Sequence, residues 1–153
     1  MERTIKIGER EMSFKSSAAT NILYKRAFNE DILVKLTAYT KHLKEMQILN
    51  DKVDALRTVE GKTQEEILKE LNAIMQSDVY LSTQSFAQET LPKLAFIMYL
   101  EANENIGTIF TKLNEESYLA WLLNIDQDEL LTVTGEVMDI WQAGAKTHSK
   151  IKN

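Results

Sequence analysis

A chain of 153 residues, 44% of them apolar, is long enough to bury a core as one domain and too apolar for wholesale disorder. It has no cysteine, which excludes disulfides, thiolate metal sites and thiol catalysis. A net charge of −5 argues against nucleic-acid binding, and the longest apolar run, Leu94 to Leu100, falls far short of the roughly 20 residues that span a bilayer.

The N-terminus is charged from its second residue and lacks the apolar core of a signal peptide, so a soluble, intracellular protein is expected. One proline and five glycines leave little punctuation, which favours long helices over many short strands. Thr4 to Ser16 carries the β-formers Ile5, Ile7 and Phe14 around Gly8 and reads as a short β-hairpin. Two strands alone are marginal, so the hairpin is expected to pack on a helix.

Thr20 is expected to cap a helix through Phe28, with Ile22, Leu23, Tyr24 and Ala27 inward and Asn29 as its stop. A longer helix follows from about Glu30 to Leu49, with Ile32, Leu33, Leu36, Leu43 and Met46 as its stripe. The charged stretch Asn50 to Lys62 is compatible in part with an extension of that helix. Thr63-Gln64-Glu65-Glu66 is a capping box, and Ile67, Leu68, Leu71, Ile74 and Met75 follow at helical spacing. Ser77 to Ser85 is polar and β-leaning and reads as a loop.

A helix from about Phe86 to Ala102 contains Pro92, which either kinks it or marks its start. Its segment Leu94 to Leu100 is apolar on every face and is expected at the centre. Asn103 to Gly107 reads as a break. Asn114 caps a helix carrying Tyr118, Leu119, Trp121, Leu122 and Leu123. Asp126 opens the last helix, whose stripe is Leu130, Val133, Val137, Ile140 and Trp141, and Gly144 is its expected stop. The fold class is therefore mainly α: a domain over 1–144 of about five to six helices, an N-terminal hairpin over about 4–16, and a flexible basic tail over 145–153.

Chemistry is sparse. His42 and His148 stand at no metal-like spacing. Glu65, Glu66 and Glu70, and likewise Asp126, Asp128 and Glu129, sit at helix N-termini, where carboxylates stabilise the helix without any catalytic role. No Gly-rich phosphate loop and no nucleophile elbow is present. No catalytic, cofactor-binding or metal-binding residue is expected. The candidates for a partner surface are Tyr118 and Trp121, one helical turn apart, and Trp141, with core packing as the other reading of each. Lys146, Lys150 and Lys152, in a stretch without acids, form either a solubilising end or an electrostatic hook.

The assembled order of motifs resembles the tail assembly chaperones of tailed phages that infect Gram-positive bacteria. A strand, a glycine turn, a second strand ending in Phe-Lys and an Ala-rich Thr cap fall on Gly8, Phe14, Lys15, Ala18, Ala19 and Thr20. A Tyr-Lys-x-x-Phe helix and Asp-Ile follow at Tyr24, Lys25, Phe28, Asp31 and Ile32. The helix LPKLAFIMYLEA, the Trp121-Leu122 helix and the terminal Ile140-Trp141 continue the likeness. The pattern departs at Glu9-Arg10, where many members carry a second glycine, and in the longer, more charged middle from about Lys41 to Ser85.

The resemblance implies a chaperone that binds the tape measure protein, keeps it soluble and helps recruit the tail tube protein. It also implies self-association, action in the host bacterial cytoplasm and absence from the mature virion, without cofactor, membrane or nucleic acid. On this reading Trp121 and Trp141 help form a groove between the two C-terminal helices. The alternative is a small helical regulatory or adaptor protein that binds one folded partner.

Overall fold

A computed structural model of the chain describes residues 1–58 and 61–152; the side chains of 57 and 145–152 lie outside the described part. The fold is mainly α with a two-stranded N-terminal hairpin. The chain groups into two compact units, Met1–Leu33 with Ala87–Asn153, and Val34–Phe86.

In the first unit β1 (Glu2–Ile7) and β2 (Arg10–Lys15) pair antiparallel, with Glu2 opposite Lys15 and Ile7 opposite Arg10. The two-residue loop between them has Gly8 at φ +64°, a value that suits the twist of a tight hairpin and that glycine adopts without a Cβ clash. Strand alternation places Ile5, Ile7, Met12 and Phe14 on one face, and that face packs on the helices α5 (Leu91–Asn103) and α9 (Thr134–Lys152).

Helix α1 (Thr20–Phe28) stops where expected, at Asn29, whose left-handed backbone (φ 54°) returns its N–H to the Lys25 carbonyl at 2.8 Å. Its start differs from the sequence expectation. Thr20 lies inside the first turn; its hydroxyl accepts from the Ser17 N–H at 2.8 Å and donates to Glu101 Oε2 at 2.7 Å. Leu23 and Tyr24 are buried, Ala27 is half-buried, and Ile22 points to solvent. Pairing Thr20 with Glu101 turns the helix so that Ile22 faces away.

Helix α5 runs through the middle of this unit, with Leu94 to Met98 and Leu100 all buried. Pro92 marks its start, just after a π-helical turn over Phe86–Thr90; the wide turn ends where proline lacks the N–H that continues an α-ladder. The break expected at Asn103 to Gly107 holds a short helix, α6 (Ile106–Thr111), because Asn105 Oδ1 accepts from the Thr108 N–H at 2.9 Å. Asn114 caps α7 (Glu115–Leu122) by accepting from Ser117 at 2.8 Å. Asp126 caps α8 (Gln127–Thr132), accepting from Asp128 and Glu129 at 2.9 and 3.3 Å.

The last helix of the sequence reading is thus two, α8 and α9, divided at Val133 (φ −104°, ψ 8°). The stripe survives the division, since Leu130, Val133, Val137, Ile140 and Trp141 are all buried. Gly144 does not stop α9, whose backbone continues to Lys152 through the segment read as a tail. The glycine answers a packing demand: Ser16 occupies the space a Cβ would need, and Ser16 Oγ donates to the Ile140 carbonyl at 2.5 Å.

In the second unit α2 (Ile32–Thr58) is far longer than expected and takes in the charged stretch after Asn50. Of its expected stripe, Leu36 and Met46 are half-buried and Leu43 is exposed. Helix α3 (Gln64–Met75) starts at Thr63, whose hydroxyl accepts from the Glu66 N–H at 3.3 Å, as the capping box requires. The segment read as a loop is helix α4 (Asp78–Ser85): Ser77 Oγ accepts from the Tyr80 N–H at 3.4 Å, and Asp78 meets the positive end of the helix dipole. Tyr39 stacks on Phe86 at 4.1 Å with the rings 9° apart.

Candidate functional site

The sequence candidates separate once placed in the first unit. Tyr118 and Trp141 are interior residues, each 5% exposed. Tyr118 meets Phe28 edge-on at 5.3 Å and Phe96 at 5.7 Å. Burial first, then the charges of Glu89 and Glu115, push its phenol up to about 12. Trp141 Nε1 donates to Asn21 Oδ1 at 2.8 Å, which ties α9 to α1. Trp121 is half-buried against Phe96 and Tyr99, at 5.5 and 5.7 Å. Its buried Nε1 has no hydrogen-bond partner among the described residues, unlike that of Trp141. The side chains of Lys146, Lys150 and Lys152 lie outside the described residues, so the structure places none of them in a site.

With Tyr118 locked inward, the other faces of α7 follow from its pitch of about 100° per residue. Trp121 and Leu122 flank Tyr118 on either side. Leu119 and Leu123 turn away from the aromatic cluster and are 50% and 88% exposed. These leucines overlook a groove of about 500 Å³ lined by Pro92, Leu119, Leu122, Leu123, Ile125, Leu130 and Leu131, with Gln88 and Gln127 as its polar members. The groove lies within one unit, between the end of α7, the start of α8 and the start of α5. The caps at Asn114 and Asp126 hold its two short helices in place.

Leu119, Leu122 and Leu123 belong to the segment that carries Tyr118 and Trp121, and Leu130 and Leu131 come from α8. A signal was present. Tyr118, Leu119, Trp121, Leu122 and Leu123 spread over more of an eight-residue helix than one stripe, which calls for a second apolar neighbour, and Leu119 and Leu123 are the ones left without it.

A smaller hollow of about 240 Å³ adjoins, formed in part by Glu9, Arg10, Asp126 and Glu129; there Arg10 Nη1 donates to the Asn124 carbonyl at 3.1 Å. In the second unit Lys52, Ala55, Leu56, Glu70, Ala73 and Ile74 line a shallow hollow of about 420 Å³. His42 Nδ1 lies 3.5 Å from the Glu45 carboxylate one turn away. Among the described residues no cluster of three or more His, Asp or Glu side chains is placed to hold a metal ion, and no helix is long and apolar enough to cross a membrane.

Comparison with protein-family models, with curated proteins and with solved structures gives no match.

Proposed function

We propose that this chain is a client-binding chaperone of the phage tail assembly type, which holds apolar helices of the tape measure protein in its groove before the tail tube forms. The observation that carries the binding part is the exposed pair Leu119 and Leu123 above an apolar groove of about 500 Å³. Burying a leucine is worth about 1.5–3 kcal/mol, so a client helix that covers both gains several kcal/mol before its ordering cost. The family of the client comes from the motif order of hairpin, Tyr-Lys-x-x-Phe helix and terminal Ile-Trp. Recruitment of the tail tube protein, self-association along a long client, action in the host cytoplasm and absence from the finished virion belong to the same proposal, as does a role without catalysis.

The test is co-expression with a tape measure protein, scored by the client's solubility. The intact chain raises the soluble fraction, and Leu123→Asp, at a position with little to lose in folding, lowers it while circular dichroism is unchanged. A client equally insoluble with and without the chain sinks the proposal. Tight binding to one folded protein, with no effect on an aggregation-prone one, favours the adaptor reading instead.

A further inference from the structure

The groove has a rim as well as a floor. Glu116 precedes Leu119 by three residues and Leu123 by seven, so it shares their face of α7, and Glu115 lies one turn before Leu119. Asp128 sits in the first turn of α8 beside the lining residue Gln127. From Leu113 to Gly144 the sequence holds seven acidic residues and neither lysine nor arginine, although the whole chain is only −5. Three cations of the same unit are engaged elsewhere. Lys112 Nζ lies 2.8 Å from Glu104 Oε1. Lys93 lies 3.5 Å from Glu30 and over the Phe28 ring. Arg10 serves the adjoining hollow with Asp126 and Glu129.

Resting on the client-binding reading, we infer that the groove takes a cationic amphipathic helix. Apolar side chains spaced i, i+3 or i+4, and i+7 enter beside Leu119, Leu123 and Leu131, and Lys or Arg residues flanking that ridge face Glu116 and Asp128. The apolar ridge supplies most of the affinity. The charges act chiefly on selection, because a helix flanked by carboxylates meets like charge on both sides of the groove. The same argument disfavours a second copy seated groove to groove, which sets one acidic rim against another.

The test uses the full chain and two labelled helical peptides of about 20 residues with the same leucine ridge, one flanked by lysine and one by glutamate. Fluorescence anisotropy at low salt should show the lysine peptide binding about tenfold more tightly or better, with the margin shrinking as salt rises. The double variant Glu116→Lys with Asp128→Lys should reverse the preference, and Leu123→Asp should weaken the lysine peptide's binding. Equal binding of the two peptides, or a preference that the reversal leaves unchanged, overturns the charge assignment; if the tape measure protein is still solubilised, the client-binding reading stands without it. Loss of self-association in Leu123→Asp, with neither peptide bound by the intact chain, makes a second copy the occupant and overturns the inference.

Discussion

Helices α5 and α3 have 13 and 12 residues and opposite surroundings. Eight residues of α5 are buried, whereas α3 has none buried, although α3 shows the cleaner two-faced pattern and the better cap. The contrast extends to their units. In the second unit only Leu56 and Phe86 are buried among the described residues, while Val34, Leu43, Ile48, Leu68, Met75 and Leu81 are exposed. Clean periodicity shows that a helix exists and which face it shields. Apolar residues all round show that it must be surrounded. A one-sided stripe is satisfied by a single neighbour and remains half-wet.

That comparison is open to direct attack. Leu94→Ala empties a site that is 0% exposed and is expected to cost about 2–5 kcal/mol, while Leu71→Ala, half-buried on α3, should cost about 1 kcal/mol. Both tryptophans lie in the first unit, so urea melts followed by tryptophan fluorescence report that unit and circular dichroism reports the whole chain. Equal losses for the two leucines would break the contrast. Next come the glycines of α9. Gly144→Val forces Ser16 aside and should cost about 1–3 kcal/mol, whereas Gly135→Ala, with open space around it, should gain about 0.5–1 kcal/mol in the same melts.

Thr63→Ala removes the cap of α3 and should cost about 1 kcal/mol, visible by circular dichroism and silent in tryptophan fluorescence. A fluorescence midpoint that moves with it would mean that the two units melt together. The smallest effect is that of Glu101. Burial raises its pKa above the usual carboxylate value, against the lowering effect of hydrogen bonds from Ser17 and Thr20. The folded state therefore holds the proton more tightly than the unfolded state. The stabilisation from that proton is complete below the unfolded pKa and is lost as pH rises through the folded one. Glu101→Gln should flatten this decline in midpoints measured from the acid side upward; an unchanged slope assigns it to other groups.

The sequence made the hairpin, the Thr63, Asn114 and Asp126 caps, the central α5 and the final buried stripe legible, because each rests on a local pattern. What escaped depended on contacts far along the chain or on short polar signals. Ser77-Asp78 and Asn105 are ordinary N-caps, but the segments behind them are too short or too polar to show a period. Thr20 reads locally as a cap because its partner Glu101 is 81 residues away. Gly144 looked like a stop because Ser16 cannot be seen from the neighbouring sequence. At the candidate site the helix is legible and the core-packing reading of Tyr118 and Trp141 matches their burial, while the exposure of Leu119 and Leu123 is not legible. Which side of α7 faces inward is decided by Phe28 and Phe96, residues of other helices.

The hydrogen bond from Ser16 to Ile140 spans 124 residues, and with the seat of Gly144 it joins the first hairpin to the last helix. A ribosome working from the N-terminus therefore makes the hairpin long before it makes the surface that covers Ile5, Ile7 and Phe14. The second unit is one unbroken stretch from Val34 to Phe86, so all of it is synthesised before α5 and α9. The better-packed unit is thus the one that closes last, its apolar strand face covered in two steps, first by α5 and then by α9.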